Sequence, residues 1–119
     1  MLFDFDKFKN SVKLAYRQCN EPVYSVEEVL QVFQYYFEVY EYNLGKKHPA
    51  LKLDQIARII DKMPYIDEES GFDIEPNAYE DMIDQHFKTT YNGGKCDYNI
   101  NHFFSGRIRK NRYYERCYM

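Results

Sequence analysis

The chain has 119 residues, of which 45% are hydrophobic and 29% are charged, and this length suits one compact domain. With only 4 Pro and 5 Gly, the composition excludes a disordered tail or linker. No run of about 18 uncharged apolar residues occurs, which excludes a membrane-spanning helix. The first ten residues include Asp4, Asp6 and two lysines rather than the basic start and apolar run of a signal peptide.

Charge is unevenly distributed along the chain although the net charge is only −3. Residues 1–60 are balanced, residues 61–87 hold nine acidic side chains against one basic, and residues 88–119 hold seven basic against two acidic. An acidic middle and a basic end make an electric dipole if they lie apart, or an ion-pair network if they touch. The sequence leaves both arrangements open.

The first two helices are predicted by apolar spacing and capping residues. Apolar side chains recur every three or four positions from Phe5 to Cys19 and predict a helix that ends near Asn20. Ser25 followed by Glu28 is a capping box, and the second helix then runs to residue 44, just before Gly45. We expect this second helix to be central.

The rest of the chain predicts shorter helices. A third helix spans Ile56 to Met63, and the acidic segment 65–75 is expected to be a surface loop with a possible small β-hairpin. Pro76 suits the first turn of a fourth helix, and Gly106 separates a short helix from a final basic one. The predicted fold is an all-α single domain over residues 1–119, with about five helices and with Phe33 and Phe37 buried.

The cysteines and histidines are candidate reactive groups. Three widely spaced cysteines without a Cys-x-x-Cys pair favour a reducing compartment, so we expect a cytoplasmic protein without disulfides. Zinc could bind some of these residue types, but their wide gaps favour ordinary structural roles and we predict no metal or other cofactor. A Cys–His nucleophile would need proximity in space that no local motif predicts. The residues concerned are His86, Cys96, His102 and Cys117.

The acidic middle is a candidate partner-binding surface. Its carboxylates could be a solvated surface, could hold Mg²⁺ in a nuclease, or could imitate a row of phosphates in the basic nucleic-acid channel of another protein. We favour the phosphate-like row and predict no catalytic residue, because the common enzyme motifs are absent. The predicted contact residues are Asp67, Glu68, Glu69, Asp73 and Glu75.

The basic end interleaves arginines with tyrosines, a combination that can grip phosphates while rings stack on bases or on a protein. It could instead pair with the acidic middle of the same chain. We expect the arginines to be exposed and Ile108, with Tyr114 or Tyr118, to anchor the segment. The predicted contact residues are Arg109, Arg112, Arg116 and Tyr113.

Two stretches carry a resemblance to a group of small proteins. They are Asp97-Tyr98-Asn99-Ile100-Asn101-His102-Phe103-Phe104-Ser105-Gly106-Arg107-Ile108-Arg109 with Arg112-Tyr113-Tyr114-Glu115, and His48-Pro49-x-Leu51 with Gln55-Ile56 and Met63-Pro64-Tyr65-Ile66. This pattern resembles that of small proteins carried by phages and integrative elements of Gram-positive bacteria. Such proteins include anti-CRISPR inhibitors, which are similar to this chain in size and charge layout. The resemblance implies a mobile-element protein in a bacterial cytoplasm and transfers no catalytic residue.

We therefore expect a non-enzymatic inhibitor that binds a host defence nuclease or its guide-RNA complex, with a type II CRISPR effector as the main candidate. The alternative is a small DNA- or RNA-binding regulator of element transfer or replication, in which Ile56–Met63 and Pro76–Phe87 form a helix pair. The long acidic connector argues against that alternative, because helix-turn-helix turns are usually short. A metal-dependent nuclease is the third option.

Overall fold

The protein is all-helical in the part of the chain that its computed structural model describes, namely residues 1–20, 22–63, 71 and 73–117, with the backbone alone at 92, 116 and 117. These residues contain six α-helices: α1 (Phe5–Tyr16), α2 (Val26–Leu44), α3 (Leu53–Asp61), α4 (Pro76–Lys88), α5 (Ile100–Phe103) and α6 (Ile108–Cys117). A 3₁₀ turn spans Asn92–Gly94. The predicted all-α class is confirmed.

The predicted helix boundaries of α2 follow from its two caps. Ser25 Oγ accepts a hydrogen bond from the Glu28 N–H at 3.2 Å, and Glu28 Oε1 accepts one from the Ser25 N–H at 3.0 Å. This capping box satisfies amide groups that the first turn leaves unpaired. At the other end Gly45 adopts φ = 68°, a left-handed conformation that favours glycine. α1 ends at Tyr16, a few residues before the predicted Asn20.

Helix α2 lies at the centre, as predicted. It packs against α1 and α4, while α3 packs on α1 and α6 packs on α4. Phe33 and Phe37 have no exposed surface, and Phe37 stacks on Phe3 with ring centroids 4.2 Å apart. Phe8 meets both buried rings edge-on at 5.2 Å. We call these four side chains the phenylalanine cluster.

The segment between α3 and α4 is described only at residues 62–63, Gly71 and residues 73–75. The predicted hairpin over residues 65–75 therefore lies mostly outside the described residues. None of the helices in the described part is long and apolar enough to cross a membrane.

Candidate functional site

The outer sides of α2 and α4 form one acidic surface. Gln31 Nε2 donates to Asn77 Oδ1 at 3.2 Å, and Tyr35 Oη donates to Asp84 Oδ1 at 2.7 Å, so polar contacts join the two helices. Along α2, residues 27, 31, 34 and 38 recur at three and four positions and therefore share one side of the helix. We call the carboxylates on this surface the acidic face: Glu27, Glu38, Glu80, Asp81 and Asp84.

The carboxylates of the acidic face are concentrated around Tyr35. The pKa of Tyr35 is raised, first because its hydroxyl is partly buried and then because Asp84, Glu80 and Asp81 are close enough to disfavour a phenolate. Three carboxylates that act on one hydroxyl show that negative charge is dense here. Beside Tyr35, a groove of about 350 Å³ is lined by Glu27, Glu38 and Glu80 and also by the basic side chain of Lys9. Part of this negative charge therefore lies on a concave surface.

The predicted acidic row overlaps this region only at its described end. Asp67, Glu68 and Glu69 lie outside the described residues. Asp73 and Glu75 are exposed, and Glu75 immediately precedes α4 as its N-cap residue. Glu75 thus places the described end of the predicted row next to the first turn of α4, which carries three of the five carboxylates of the acidic face.

Sequence reasoning missed Glu27 and Glu38. The signal was present, because both residues fall on the polar side of α2 at positions eleven apart, which is close to three helical turns. The sequence did not show that α4 packs next to this polar side of α2. The acidic face exists only because the two helices are neighbours.

The basic end does not have the exposure that the sequence predicted. Arg112 is buried, with 7% of its surface exposed, and its Nη1 donates to Thr89 Oγ1 at 2.7 Å and to Tyr91 Oη at 3.1 Å. Its Nη2 forms an ion pair with Glu115 Oε1 at 2.8 Å. The prediction of an exposed Arg112 is wrong, because α6 turns this side chain toward α4 and the loop that follows it.

The other residues of the basic end also differ from the prediction. Tyr113 is 1% exposed and is the deep anchor of α6, so its predicted role as a surface contact is wrong. Ile108 and Tyr114, the expected anchors, are half-buried against the core. Arg109 is half-buried rather than fully exposed. The side chains of Arg116 and Tyr118 lie outside the described residues.

Arg112 belongs to a buried chain of hydrogen bonds. Tyr91 Oη lies 2.9 Å from His86 Nδ1, His86 Nε2 lies 3.1 Å from Tyr36 Oη, and Tyr36 Oη donates to the carbonyl of Tyr98 at 2.7 Å. Arginine can only donate and a carbonyl can only accept. Because the single hydroxyl proton of Tyr36 goes to this carbonyl, His86 donates from Nε2 to Tyr36, and the neutral ring accepts at Nδ1 from Tyr91. We call these residues the histidine–tyrosine cluster.

His86 is neutral in this cluster. Burial, together with charge repulsion from the nearby His102 and Arg112, lowers the pKa of His86 to about 3. His86 has no exposed surface, and both of its ring nitrogens are engaged by tyrosine hydroxyls. The ring is thus a structural element with no lone pair available to a ligand.

Two further residues from the predicted reactive set lie beside this cluster. Cys96 Sγ lies 3.0 Å from His102 Nδ1, and the Tyr98 N–H donates to Cys96 Sγ at 3.3 Å. The ring centroid of His102 lies 5.7 Å from that of His86. The structure therefore brings together three of the four residues that the sequence left scattered. The side chain of the fourth, Cys117, lies outside the described residues.

Neither the zinc site nor the magnesium site considered from the sequence has a ligand set in the described residues. No group of three or more His, Cys, Asp and Glu side chains there is arranged to hold a metal ion. Comparison of the chain with protein-family models, with curated proteins and with solved structures finds no match.

Proposed function

We propose that the protein is a non-enzymatic inhibitor that binds a nucleic-acid-processing protein of a bacterial host. The observation that supports this proposal is the acidic face, in which α2 and α4 each hold carboxylates on one continuous surface. Such a surface can occupy a basic channel that otherwise holds phosphates, because complementary charge speeds association and selects the partner. The partner is a host defence nuclease in the bacterial cytoplasm, with a type II CRISPR effector or its guide-RNA complex as the specific candidate.

The rigidity of the acidic face supports the proposal. Helices fix the backbone positions of these carboxylates, so binding has to order only their side chains and loses less affinity to entropy than binding of a disordered segment would. α6 contributes by packing on α4, and Arg112 ties it to Thr89 and Tyr91 just beyond the end of α4. In this proposal the basic end mainly supports the acidic face, while Arg109 remains a candidate for contact with guide RNA.

Charge reversal on the acidic face tests the proposal. The variant Glu27→Lys/Glu38→Lys/Glu80→Lys should lose inhibition of effector cleavage at concentrations where the wild-type protein inhibits. Electrostatic steering commonly raises association rates by about 10-fold to 1,000-fold, so binding should slow by about 10-fold or more. Wild-type association should also slow as salt rises, since charges are screened over about 8 to 10 Å at physiological ionic strength. Cleavage assays with a panel of effectors and surface-based binding kinetics measure both effects.

A matched control separates position from total charge. The variant Asp6→Lys/Asp54→Lys/Asp61→Lys changes exposed carboxylates on α1 and α3 and shifts the net charge by the same amount. It should inhibit like the wild type, and circular dichroism should show that both variants fold. The proposal is contradicted if excess wild-type protein leaves cleavage by every effector unchanged, or if the two variants inhibit equally.

Helix packing and an affinity-capture experiment both bear on the alternative of a nucleic-acid-binding regulator. α3 packs on α1 and α4 packs on α2 and α6, so the described packing offers no obvious α3–α4 pair for a DNA groove. Affinity capture from a bacterial lysate with and without nuclease treatment distinguishes the two functions. Protein partners that persist after nuclease treatment support the inhibitor, whereas recovered nucleic acid supports the regulator.

A further inference from the structure

Two cysteine side chains are described, and they differ in their hydrogen-bond partners. Cys19 Sγ donates to the carbonyls of Ala15 at 3.5 Å and Ala57 at 3.6 Å, and burial together with Asp61 raises the pKa of Cys19 to about 11. Cys96 Sγ instead lies 3.0 Å from an imidazole nitrogen. Both cysteines are half-buried, so exposure alone does not distinguish them.

Two groups lie within hydrogen-bond distance of the Cys96 sulfur. The Tyr98 N–H donates to Sγ, and His102 Nδ1 lies 3.0 Å from it. In the tautomer that carries its ring proton on Nε2, His102 accepts the thiol proton at Nδ1. Burial raises the pKa of Cys96, the Tyr98 N–H partly offsets this effect, and the adjacent Asp97 carboxylate adds to it. Cys96 is therefore a thiol at rest, with an adjacent base that can accept its proton.

The loop that carries Cys96 is held in an unusual conformation. Tyr98 has φ = 55°, a left-handed conformation that residues other than glycine rarely adopt. Its ring stacks on Phe87 with centroids 5.1 Å apart, and its hydroxyl donates to the Thr89 carbonyl. Strained backbone persists only where the surroundings enforce it. The contact between the Tyr98 amide and the sulfur is therefore imposed by packing on α4.

We propose that Cys96 and His102 form a nucleophilic thiol–imidazole pair and that Cys96 is a site of oxidation by small peroxides. Cys96 Sγ attacks one peroxide oxygen, so that an S–O bond forms and the O–O bond breaks. The thiol proton passes through His102 Nδ1 to the leaving oxygen, which departs as water or an alcohol. The sulfur loses two electrons and becomes a sulfenic acid, and the peroxide gains them. Half-buried positions for both side chains suit a small reactant.

The test uses the full chain with Cys117→Ser, which leaves Cys19 as an internal control. After treatment with hydrogen peroxide, dimedone trapping and mass spectrometry give the rate of sulfenic acid formation at each cysteine. General-base assistance is commonly worth about 100-fold or more, so Cys96 should react at least about 10-fold faster than Cys19. A smaller ratio overturns the proposal.

The variant His102→Gln tests the base directly. It should slow the oxidation of Cys96 by about 10-fold or more and leave Cys19 unchanged. Removal of the ring would expose the sulfur further, so a slower reaction cannot result from reduced access. An unchanged or faster rate at Cys96 overturns the proposal. If the variant does not fold, as judged by circular dichroism, the proposal is decided by the ratio of the Cys96 and Cys19 oxidation rates in the Cys117→Ser chain, which keeps His102.

Discussion

The phenylalanine cluster and the histidine–tyrosine cluster each bury two side chains completely, by different means. Phe33 and Phe37 in the first cluster, and Tyr36 and His86 in the second, all have no exposed surface. The first cluster is held by apolar burial and ring contacts, which need only approximate shape. The second is held by hydrogen bonds between defined donors and acceptors, with Arg112 Nε buried and unpaired among the described residues. α2 connects the two, since Phe33, Tyr36 and Phe37 are neighbours on one helix.

The difference indicates how each region should respond to change. An apolar cluster loses free energy in proportion to the volume removed and is insensitive to pH. A buried polar cluster is stable while every group is paired, but one missing partner leaves the others unsatisfied at high cost. Stability should therefore depend mainly on side-chain volume in the phenylalanine cluster. In the histidine–tyrosine cluster it should depend mainly on protonation and on hydrogen-bond pairing.

Truncation in the phenylalanine cluster should have the largest effect. Phe33→Ala is expected to lower the free energy of unfolding by about 3 to 5 kcal/mol, because it removes a fully buried ring and leaves a cavity. Tyr42→Ala is the matched control on the same helix, since Tyr42 is 90% exposed, and should change stability by less than about 0.5 kcal/mol. Urea unfolding followed by circular dichroism measures both, and similar values would contradict the central position of α2.

Loss of Arg112 should be the next largest effect. Arg112→Met keeps most of the side-chain length but leaves Thr89 and Tyr91 without their charged donor, and we expect a loss of about 2 to 3 kcal/mol. The exposed Arg58 on α3 provides the control Arg58→Met, expected within about 0.5 kcal/mol of wild type. Equal stability of the two variants would mean that the polar cluster does not hold α6 in place.

The pH dependence of stability should sharpen the comparison further. Because burial lowers the pKa of folded His86 from 6.5 to about 3, the unfolded chain binds a proton between these pH values that the folded chain does not. The contribution of His86 to the free energy of unfolding is therefore fully present above pH 6.5 and is lost as the pH falls below that value. Between pH 7 and pH 5 the wild type should lose about 2 kcal/mol more than His86→Gln. Parallel urea titrations at the two pH values measure this, and equal losses would contradict a neutral buried His86.

The helices and the burial of Phe33 and Phe37 could be predicted from the sequence because their signals are local. Apolar periodicity, the Ser25–Glu28 capping box and Gly45 act within a few residues of one another. The histidine–tyrosine cluster joins residues from 36 to 112, and a tyrosine on an apolar helix face looks the same whether its hydroxyl is solvated or bonded to histidine. Thr89 and Tyr91 sit in a loop that has no periodicity to interpret.

The candidate sites divide in the same way. The acidic character of α4 was visible in the sequence, but the contribution of Glu27 depended on which helix lies beside α2. Arg112 was misassigned because helical spacing defines which side chains share a face but not the direction of that face. Cys96 and His102 are six positions apart across a turn, and their contact depends on the left-handed backbone at Tyr98.

The directional chain from Arg112 to the Tyr98 carbonyl also restricts how the helices can assemble. Networks of hydroxyls and amides often have two equivalent patterns, obtained by reversing every donor. Here an obligate donor at one end and an obligate acceptor at the other permit one pattern only. A rotation or slip of α6 along α4 would break this order, whereas an apolar interface could tolerate it. The cluster thus selects a single register for α4 and α6 among many packings that bury similar area.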